Sequence, residues 1–186
     1  FFLTDSEAKP IPKRLLRPGV RRMRELDGDV LDQAAHDALG KAGRRRWLLS
    51  LSGPKDIRAK AVRSLVKDGE AVGYDQRYLT GIREHWYVVE PAEAPHIIVS
   101  LMSKDGFRSV LNPLGAIPSN SMYGIHLYDP RKAPELCAWL NSPAGQQAIQ
   151  SQARHYSDGL LKLEPRDYMA VPIPAALGQR DRGAGR

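Results

Sequence analysis

Apolar and polar positions alternate along the chain with two periods, one helical and one extended. Between residues 53 and 69 the apolar residues recur at helical spacing. Pro54 suits the first turn of a helix, and Gly69 suits the position just after its end. The spacing predicts an amphipathic helix that packs its apolar stripe into a core. That stripe consists of Ile57, Ala61, Val62, Leu65 and Val66.

Shorter apolar patterns predict the remaining elements. Helices are predicted at residues 29–43, 70–84, 134–141 and 143–156, and strands at 47–51, 86–90, 97–101, 107–111 and 122–128. The turn Lys104-Asp105-Gly106 joins the strands on either side of it into an antiparallel hairpin. Hairpins that lie between pairs of helices predict an α+β fold, with small mixed or antiparallel sheets flanked by several helices.

The two ends of the chain differ from the middle. Residues 1–28 begin like a strand and continue as an irregular basic segment, in which helix is interrupted by Pro10, Pro12 and Pro18. We predict that 1–28 is a basic connector continuing from a missing upstream domain, because its first residues read like the middle of a strand. The main domain is predicted over 29–174, and 175–186 is predicted to be a disordered Gly/Arg-rich tail.

Composition narrows the class of protein. The 186 residues are 42% hydrophobic and 26% charged, which suits a globular domain that buries a core without disulfides. The net charge of +7 makes a polyanion a reasonable partner. The lone cysteine fits a reducing, cytoplasmic location. No apolar run approaches the ~20 residues that span a bilayer.

Catalytic motifs are missing from the sequence. There is no phosphate-binding P-loop and no Gly-x-Gly-x-x-Gly after a strand. The five histidines lack the spacings of a zinc enzyme, and Cys137 lies in an apolar helical pattern that predicts a small buried hydrophobe. We therefore expect no catalytic residue and no metal ligand in this chain.

One tetrapeptide, Asn112-Pro113-Leu114-Gly115, partly matches the Asn-Pro-Pro-Tyr motif of adenine-N6 methyltransferases. In that motif the aromatic ring stacks on the extruded base. Gly115 stands where the ring would be, so no stacking platform remains. A strand end that runs into a turn is the better interpretation.

Basic residues interleaved with amides and hydroxyls suggest contacts with a nucleic acid. From Lys9 to Arg24 there are seven basic residues and no acid. This segment is either a solvated connector or a strap that follows phosphates. Predicted phosphate contacts are Lys13, Arg14, Arg17, Arg21, Arg22, Arg24, Arg44 and Arg45. Predicted contacts with base edges are Arg83, Lys104, Arg108, Asn120 and Ser121.

The order of several short motifs resembles a known family. The motifs are Phe1-Phe2-Leu3-Thr4, Leu15 to Arg21, Arg46-Trp47-Leu48-Leu49, Arg83-x-x-Trp86-Tyr87, Ile97-Ile98-Val99, Asn120 to Gly124, Ala138 to Ser142, Gly159 to Asp167, and Val171-Pro172-Ile173-Pro174. Over roughly residues 1–175 the chain resembles the C-terminal target-recognition domain of TaqI-like adenine-N6 DNA methyltransferases of restriction–modification systems. The best single mark is Gly-Leu-x-Lys-Leu-x-Pro followed by Val-Pro-x-Pro.

The resemblance implies a division of labour. An upstream Rossmann-like domain would bind S-adenosylmethionine and carry the catalytic motif, so no cofactor is expected in this chain. Residues 29–174 would form the DNA target-recognition domain, with double-stranded DNA and the methyltransferase domain in cis as partners and no membrane contact. The chain alone is not expected to be an enzyme, whereas the parent protein is expected to be an adenine-N6 DNA methyltransferase.

Three other functions remain open at this point. The first is the recognition domain of a type I restriction specificity subunit, a binding module whose usual continuation after the Pro-rich end is absent here. The second is an RNA-binding factor, although the sequence has no aromatic strand pair and no Gly-x-x-Gly loop. The third is an adaptor that binds protein through the helix carrying Leu136, Trp139 and Leu140.

Overall fold

The protein is described by a computed structural model that covers residues 1–89 and 92–178. Its strands are β1 (Phe2–Leu3), β2 (Leu16–Val20), β3 (Trp47–Leu49), β4 (Ile97–Ser100), β5 (Met102–Ser103), β6 (Ser109–Leu111), β7 (Ile117–Pro118), β8 (Met122–Ile125), β9 (Arg154–His155) and β10 (Leu161–Lys162). Its helices are α1 (Asp5–Ala8), α2 (Gln33–Lys41), α3 (Lys60–Ala71), α4 (Tyr78–Gly81), α5 (Ala133–Asn141), α6 (Pro143–Gln150), α7 (Pro165–Met169) and α8 (Ala175–Gly178). The predicted α+β class is confirmed.

A four-stranded sheet with the order β1-β3-β2-β7 occupies the N-terminal half of the fold. Strand β3 is antiparallel to both β1 and β2, whereas β7 is parallel to β2. The register pairs Leu48 with both Phe2 and Arg17, and Gly19 with Ile117. Paired residues share one face of a sheet, as do residues two apart on a strand. These five residues therefore lie on the same face.

The predicted strand-like start is present as β1, but the irregular segment predicted after it was wrong as local structure, because it contains α1 and β2. Pro18 does not break the sheet. The N–H of Gly19 donates to Arg46 O on the β3 side, so the nitrogen of Pro18, which has no hydrogen to donate, faces the β7 side. Pairing with β7 begins only at Gly19, so the proline lies outside that pairing. The segment also contributes buried side chains to the core, namely Leu3, Ala8, Ile11, Leu15 and Val20. The domain boundary after residue 28 stays a prediction.

Two smaller sheets build the C-terminal half. The order β6-β4-β8 is antiparallel throughout, and the predicted hairpin is present as β4 paired with β6. The order β5-β10-β9 is also antiparallel. Ile97, Ile98 and Val99 of β4 are fully buried. Ile97 and Val99 face a core formed with α5 and α6, whereas Ile98 faces a second cluster with Val20 of the first sheet. Strand β4 thus joins the two halves.

Helix α3 carries the predicted apolar stripe, but it begins at Lys60 rather than at residue 53. The preceding residues form a turn around Asp56, whose carboxylate accepts hydrogen bonds from the N–H and hydroxyl of Ser52, both at 2.8 Å. Arg14 donates to the same carboxylate at 2.9 Å. The hydrogen bond from the Ser52 backbone, with those from Arg14 and the Ser52 hydroxyl, lowers the pKa of Asp56 to about 2.

Three regions depart from the predicted elements. The helix predicted over 143–156 ends at Gln150, and Arg154–His155 form β9. Over the described residues 72–89 the chain forms only α4 and turns, in place of a helix to residue 84 and a strand from residue 86. Gly73 has a φ of +72°, so the chain turns away at the end of α3. In the predicted tail, residues 175–178 form α8, and Leu177 is buried. The rest of that tail lies outside the described residues.

Candidate nucleic-acid interface

One face of the four-stranded sheet forms the floor of a cleft of about 560 Å³. Phe2, Leu48 and Ile117 supply the floor. A Cβ atom at Gly19 would lie 2.6 Å from the Phe2 ring, so the ring needs a glycine beneath it. We call this space the sheet cleft. Its rim consists of Arg21, Arg22, Val89, Ala92, Pro118, Ser119, Asn120 and Ser121.

A short loop at one end of the sheet cleft is fixed to the end of β2. The hydroxyls of Ser119 and Ser121 both donate to the carbonyl of Arg21, at 2.7 and 2.8 Å. Asn120 lies between these anchors and is exposed. Within the described part of the chain, its amide makes no hydrogen bond to protein. The loop therefore presents a free amide to anything that enters the cleft.

Two further clefts share lining residues with the sheet cleft. A cleft of about 600 Å³ shares Phe2 and Arg21 with the sheet cleft. A third, of about 300 Å³, shares Phe1 and Tyr74 with the second and Val89 with the first. Neighbouring clefts thus share lining residues, and we call the three clefts together the groove.

The lining of the groove contains six of the thirteen residues predicted to contact DNA, while the other seven are not part of the lining. Those that line the groove are Arg21, Arg22, Arg45, Arg83, Asn120 and Ser121. Those outside its lining are Lys13, Arg14, Arg17, Arg24, Arg44, Lys104 and Arg108. In the basic segment before residue 28, Lys13 and Arg14 precede β2, whereas Arg21, Arg22 and Arg24 follow it.

Charge in the groove is uneven. Arg45 donates to a Glu7 carboxylate oxygen at 2.8 Å and to the Phe2 carbonyl at 2.8 Å, so its charge is largely compensated. Arg21 and Arg22 form no salt bridge within the described residues. Arg83 donates to the Val88 carbonyl at 3.1 Å and forms no salt bridge with any residue that the structure describes. Among the described residues, the positive charge of the groove that forms no salt bridge therefore lies at Arg21, Arg22 and Arg83.

Several side chains that were predicted to contact DNA are bonded to other residues of this chain. Arg14 pairs with Asp56, and Lys104 pairs with Asp158. Arg17 is drawn to the rim of the sheet cleft, where it donates to Ala92 O at 2.5 Å. These side chains contribute positive charge to the surface while they fasten distant segments. Their predicted contacts with DNA stay predictions.

Arg108 is the most heavily bound of the predicted base contacts. Its guanidinium donates to the carbonyl oxygens of Leu26 at 2.5 Å, Met23 at 3.3 Å and Gly28, and it lies 3.4 Å from an Asp29 carboxylate oxygen. The side chain is 30% exposed. The geometry gives Arg108 the role of a clamp for residues 23–29.

Arg46, next to two predicted phosphate contacts, is the centre of a polar network. It donates to Asp5 and Asp37 and to the Nδ1 atom of His36, at 2.8 to 3.1 Å. Its guanidinium also lies 5.1 Å from the Trp47 ring centroid. Burial lowers the pKa of His36, so its ring is neutral and accepts the bond from Arg46. Arg46 therefore holds α1, α2 and β3 together.

The Asn112 turn contains no base pocket. The Asn112 side chain is buried and donates to Pro95 O at 2.8 Å and Ala116 O at 2.9 Å. Its oxygen accepts from Ala116 N at 3.0 Å. All of its amide groups are used within the fold, which agrees with the interpretation as a turn.

The sequence reasoning picked out Trp86 and Tyr87 beside Arg83 but missed the rest of the aromatic lining of the groove. Phe1 and Phe2 were assigned only to a strand, and Tyr74 and Arg77 only to a helix. The one signal was a Phe-Phe start together with the Pro18-Gly19 dipeptide. Using it requires the register by which β3 holds β1 and β2 side by side. In residues 1–89 and 92–178, no group of three His, Cys, Asp or Glu side chains is arranged to hold a metal ion. None of the helices described there is long and apolar enough to cross a bilayer.

Comparison with known proteins gives the chain its family. The model of the C-terminal domain of the Type II methyltransferase M.Eco57I matches residues 1–184. The chain belongs to this family. The Type II methyltransferase M.AccI of Acinetobacter calcoaceticus is 24% identical over 172 residues, which are 90% of this chain and 31% of that protein. The chain therefore spans about a third of the length of this relative. The resemblance read from the motifs is confirmed as that of a Type II methyltransferase C-terminal domain.

Proposed function

We propose that this domain recognises a specific sequence in double-stranded DNA as the C-terminal part of an adenine-N6 DNA methyltransferase. The observation that best supports the proposal is the groove, which collects arginine, asparagine and serine side chains around an apolar floor. These are the residue types that read base edges and bind phosphates. Membership of a Type II methyltransferase family supports the catalytic context.

Each part of the groove suits a different part of a duplex. The uncompensated charges of Arg21 and Arg22 attract phosphates and set the position of the DNA. Asn120 carries the donor and acceptor pair that matches an adenine edge in the major groove. The Phe2 floor offers an apolar surface of the kind that contacts a thymine methyl group. Positioning and reading are thus assigned to different side chains of the same cleft.

Catalysis belongs to the remainder of the parent protein in this proposal. S-adenosylmethionine supplies the methyl group when bound to an upstream domain in cis. The residues of this chain bind the duplex and orient it. A type I specificity domain would also bind DNA without catalysis, but the family match favours the methyltransferase.

The test combines selection from a random-sequence duplex pool with titration at two salt concentrations. We expect one short motif to be enriched. Asn120→Ala should weaken binding to that motif by about 1–3 kcal/mol and leave non-specific binding unchanged. Arg22→Glu should weaken binding to all duplexes and reduce the slope of log affinity against log salt by about 1.

The matched control is Lys41→Glu, which reverses one exposed charge at the end of α2, away from the groove lining. We expect it to change affinity less than Arg22→Glu at both salt concentrations. Absence of any enriched motif would contradict sequence recognition by this domain. Equal losses for the two charge reversals would contradict the groove as the binding surface.

A further inference from the structure

Exposed apolar side chains are concentrated in one segment, residues 72–83, which we call the apolar finger. Tyr78 is 83% exposed, Leu79 is 68% exposed and Ile82 is 72% exposed. Val72 and Tyr74 at its base are also exposed. Single exposed apolar residues are common on proteins, but a contiguous group of this kind marks an interaction surface.

The backbone holds the finger in a tight turn. The Thr80 hydroxyl donates to the carbonyls of Arg77, at 3.1 Å, and Tyr74. A Cβ atom at Gly81 would lie 3.2 Å from the Asp75 carbonyl, so the turn closes on itself at the glycine. Tyr78 and Leu79 project from a fixed turn, which lowers the entropy lost when they bind.

Charge identifies the kind of partner. Arg77 and Arg83 flank the exposed apolar residues with no acidic residue between them, and Asp75 and Glu84 lie just outside this stretch. The Arg77 guanidinium lies 4.4 Å from the Tyr74 ring centroid and remains exposed. The finger also borders the groove, because Tyr74, Arg77 and Arg83 line its third cleft. An apolar tip between two arginines complements a base stack between two phosphates.

We propose that the apolar finger inserts Tyr78 and Leu79 between neighbouring base pairs of the bound duplex, with Arg77 and Arg83 on the flanking phosphates. This inference rests on the proposed function and adds a deformation of the DNA to it. Apolar wedges that enter a base step unstack it, and the cost falls where the pairing is already broken. The finger should therefore bind most tightly where the duplex opens most easily.

The experiment uses the enriched duplex and a series of copies in which a single mismatch is moved along it. Wild-type protein should bind one mismatch position about tenfold more tightly than the intact duplex, equivalent to about 1.4 kcal/mol. The double variant Tyr78→Ala/Leu79→Ala should lose that preference while its salt dependence stays unchanged. A 2-aminopurine at the preferred position should brighten with wild type and stay quenched with the double variant.

Met169→Ala is the matched control, because Met169 is 88% exposed, apolar and absent from the groove lining. It should keep the mismatch preference. The same mismatch profile for the wild type and the double variant overturns the wedge and leaves a surface that binds another part of the parent protein. Enrichment of a motif with no preferred mismatch overturns the wedge alone. Absence of an enriched motif defeats the proposed function itself.

Discussion

Replacing Arg108 distinguishes a clamp from a base-reading residue. The sequence pattern predicts a contact with a base edge, whereas the structure joins its guanidinium to the carbonyls of Leu26 and Gly28 and to Asp29. Arg108→Ala removes these contacts together. We expect the variant to unfold more easily and, once folded, to select the same DNA sequence as wild type.

The size of the effect follows from the number and exposure of the bonds. A hydrogen bond from a charged donor contributes about 1.5–3 kcal/mol where it is buried. The side chain is 30% exposed, so we reduce this to about 1 kcal/mol for each of the two closest bonds. The longer contacts with Met23 and Asp29 add up to about 1 kcal/mol. The free energy of unfolding should fall by about 2–3 kcal/mol, which lowers Tm by about 4–12 °C at this chain length.

Urea unfolding and DNA selection provide the two readouts. Arg108→Lys keeps the charge but reaches fewer carbonyls, so its stability should lie between those of wild type and Arg108→Ala. Arg44→Ala is the control, because Arg44 is exposed and forms no side-chain bond among the described residues. Unchanged stability of Arg108→Ala together with loss of the enriched motif would refute the clamp and restore the base-reading role.

Three further predictions concern the fold. Asp56→Asn should destabilise by about 1–3 kcal/mol at neutral pH, because the amide cannot accept all the bonds from Ser52 and Arg14. The lowered pKa of Asp56 means that its contribution is complete above about pH 4 and is lost as the pH falls towards 2, so urea unfolding of wild type and variant should converge in acid. Burial raises the pKa of Cys137 to about 11, so a thiol reagent should label it only after denaturation. Gly145→Ala should destabilise by about 1–3 kcal/mol in thermal unfolding, since its Cβ would lie 2.0 Å from the Trp139 carbonyl oxygen.

The sequence predicted the elements whose causes are local. The stripe of α3 and the hairpin of β4 and β6 depend on neighbouring residues, and both are present. Strand β2 was missed because its register with β3 and β7 depends on residues far along the chain. The same limit explains Arg108, whose Leu26 partner lies 82 residues away. Residue type predicted a cation at the surface, and only the fold shows what that cation contacts.

The candidate site was predictable as a set of residue types but not as a place. Arg22 and Asn120 meet because β7 pairs with β2 in parallel, a long-range contact that periodicity does not contain. The apolar finger was missed because Leu79 and Ile82 fit the pattern of a helix with a buried face. The turn held by Thr80 exposes them instead.

The two serine anchors of the groove loop have a consequence for how such proteins diverge. Ser119 and Ser121 hold the loop through a main-chain carbonyl, which every amino acid at position 21 supplies. The residue between them can therefore be exchanged without loosening the loop. If the proposed function holds, mutations at position 120 would alter what is presented to the duplex at little cost in stability. A lineage with this architecture would then acquire new target sites one substitution at a time while its scaffold stays intact.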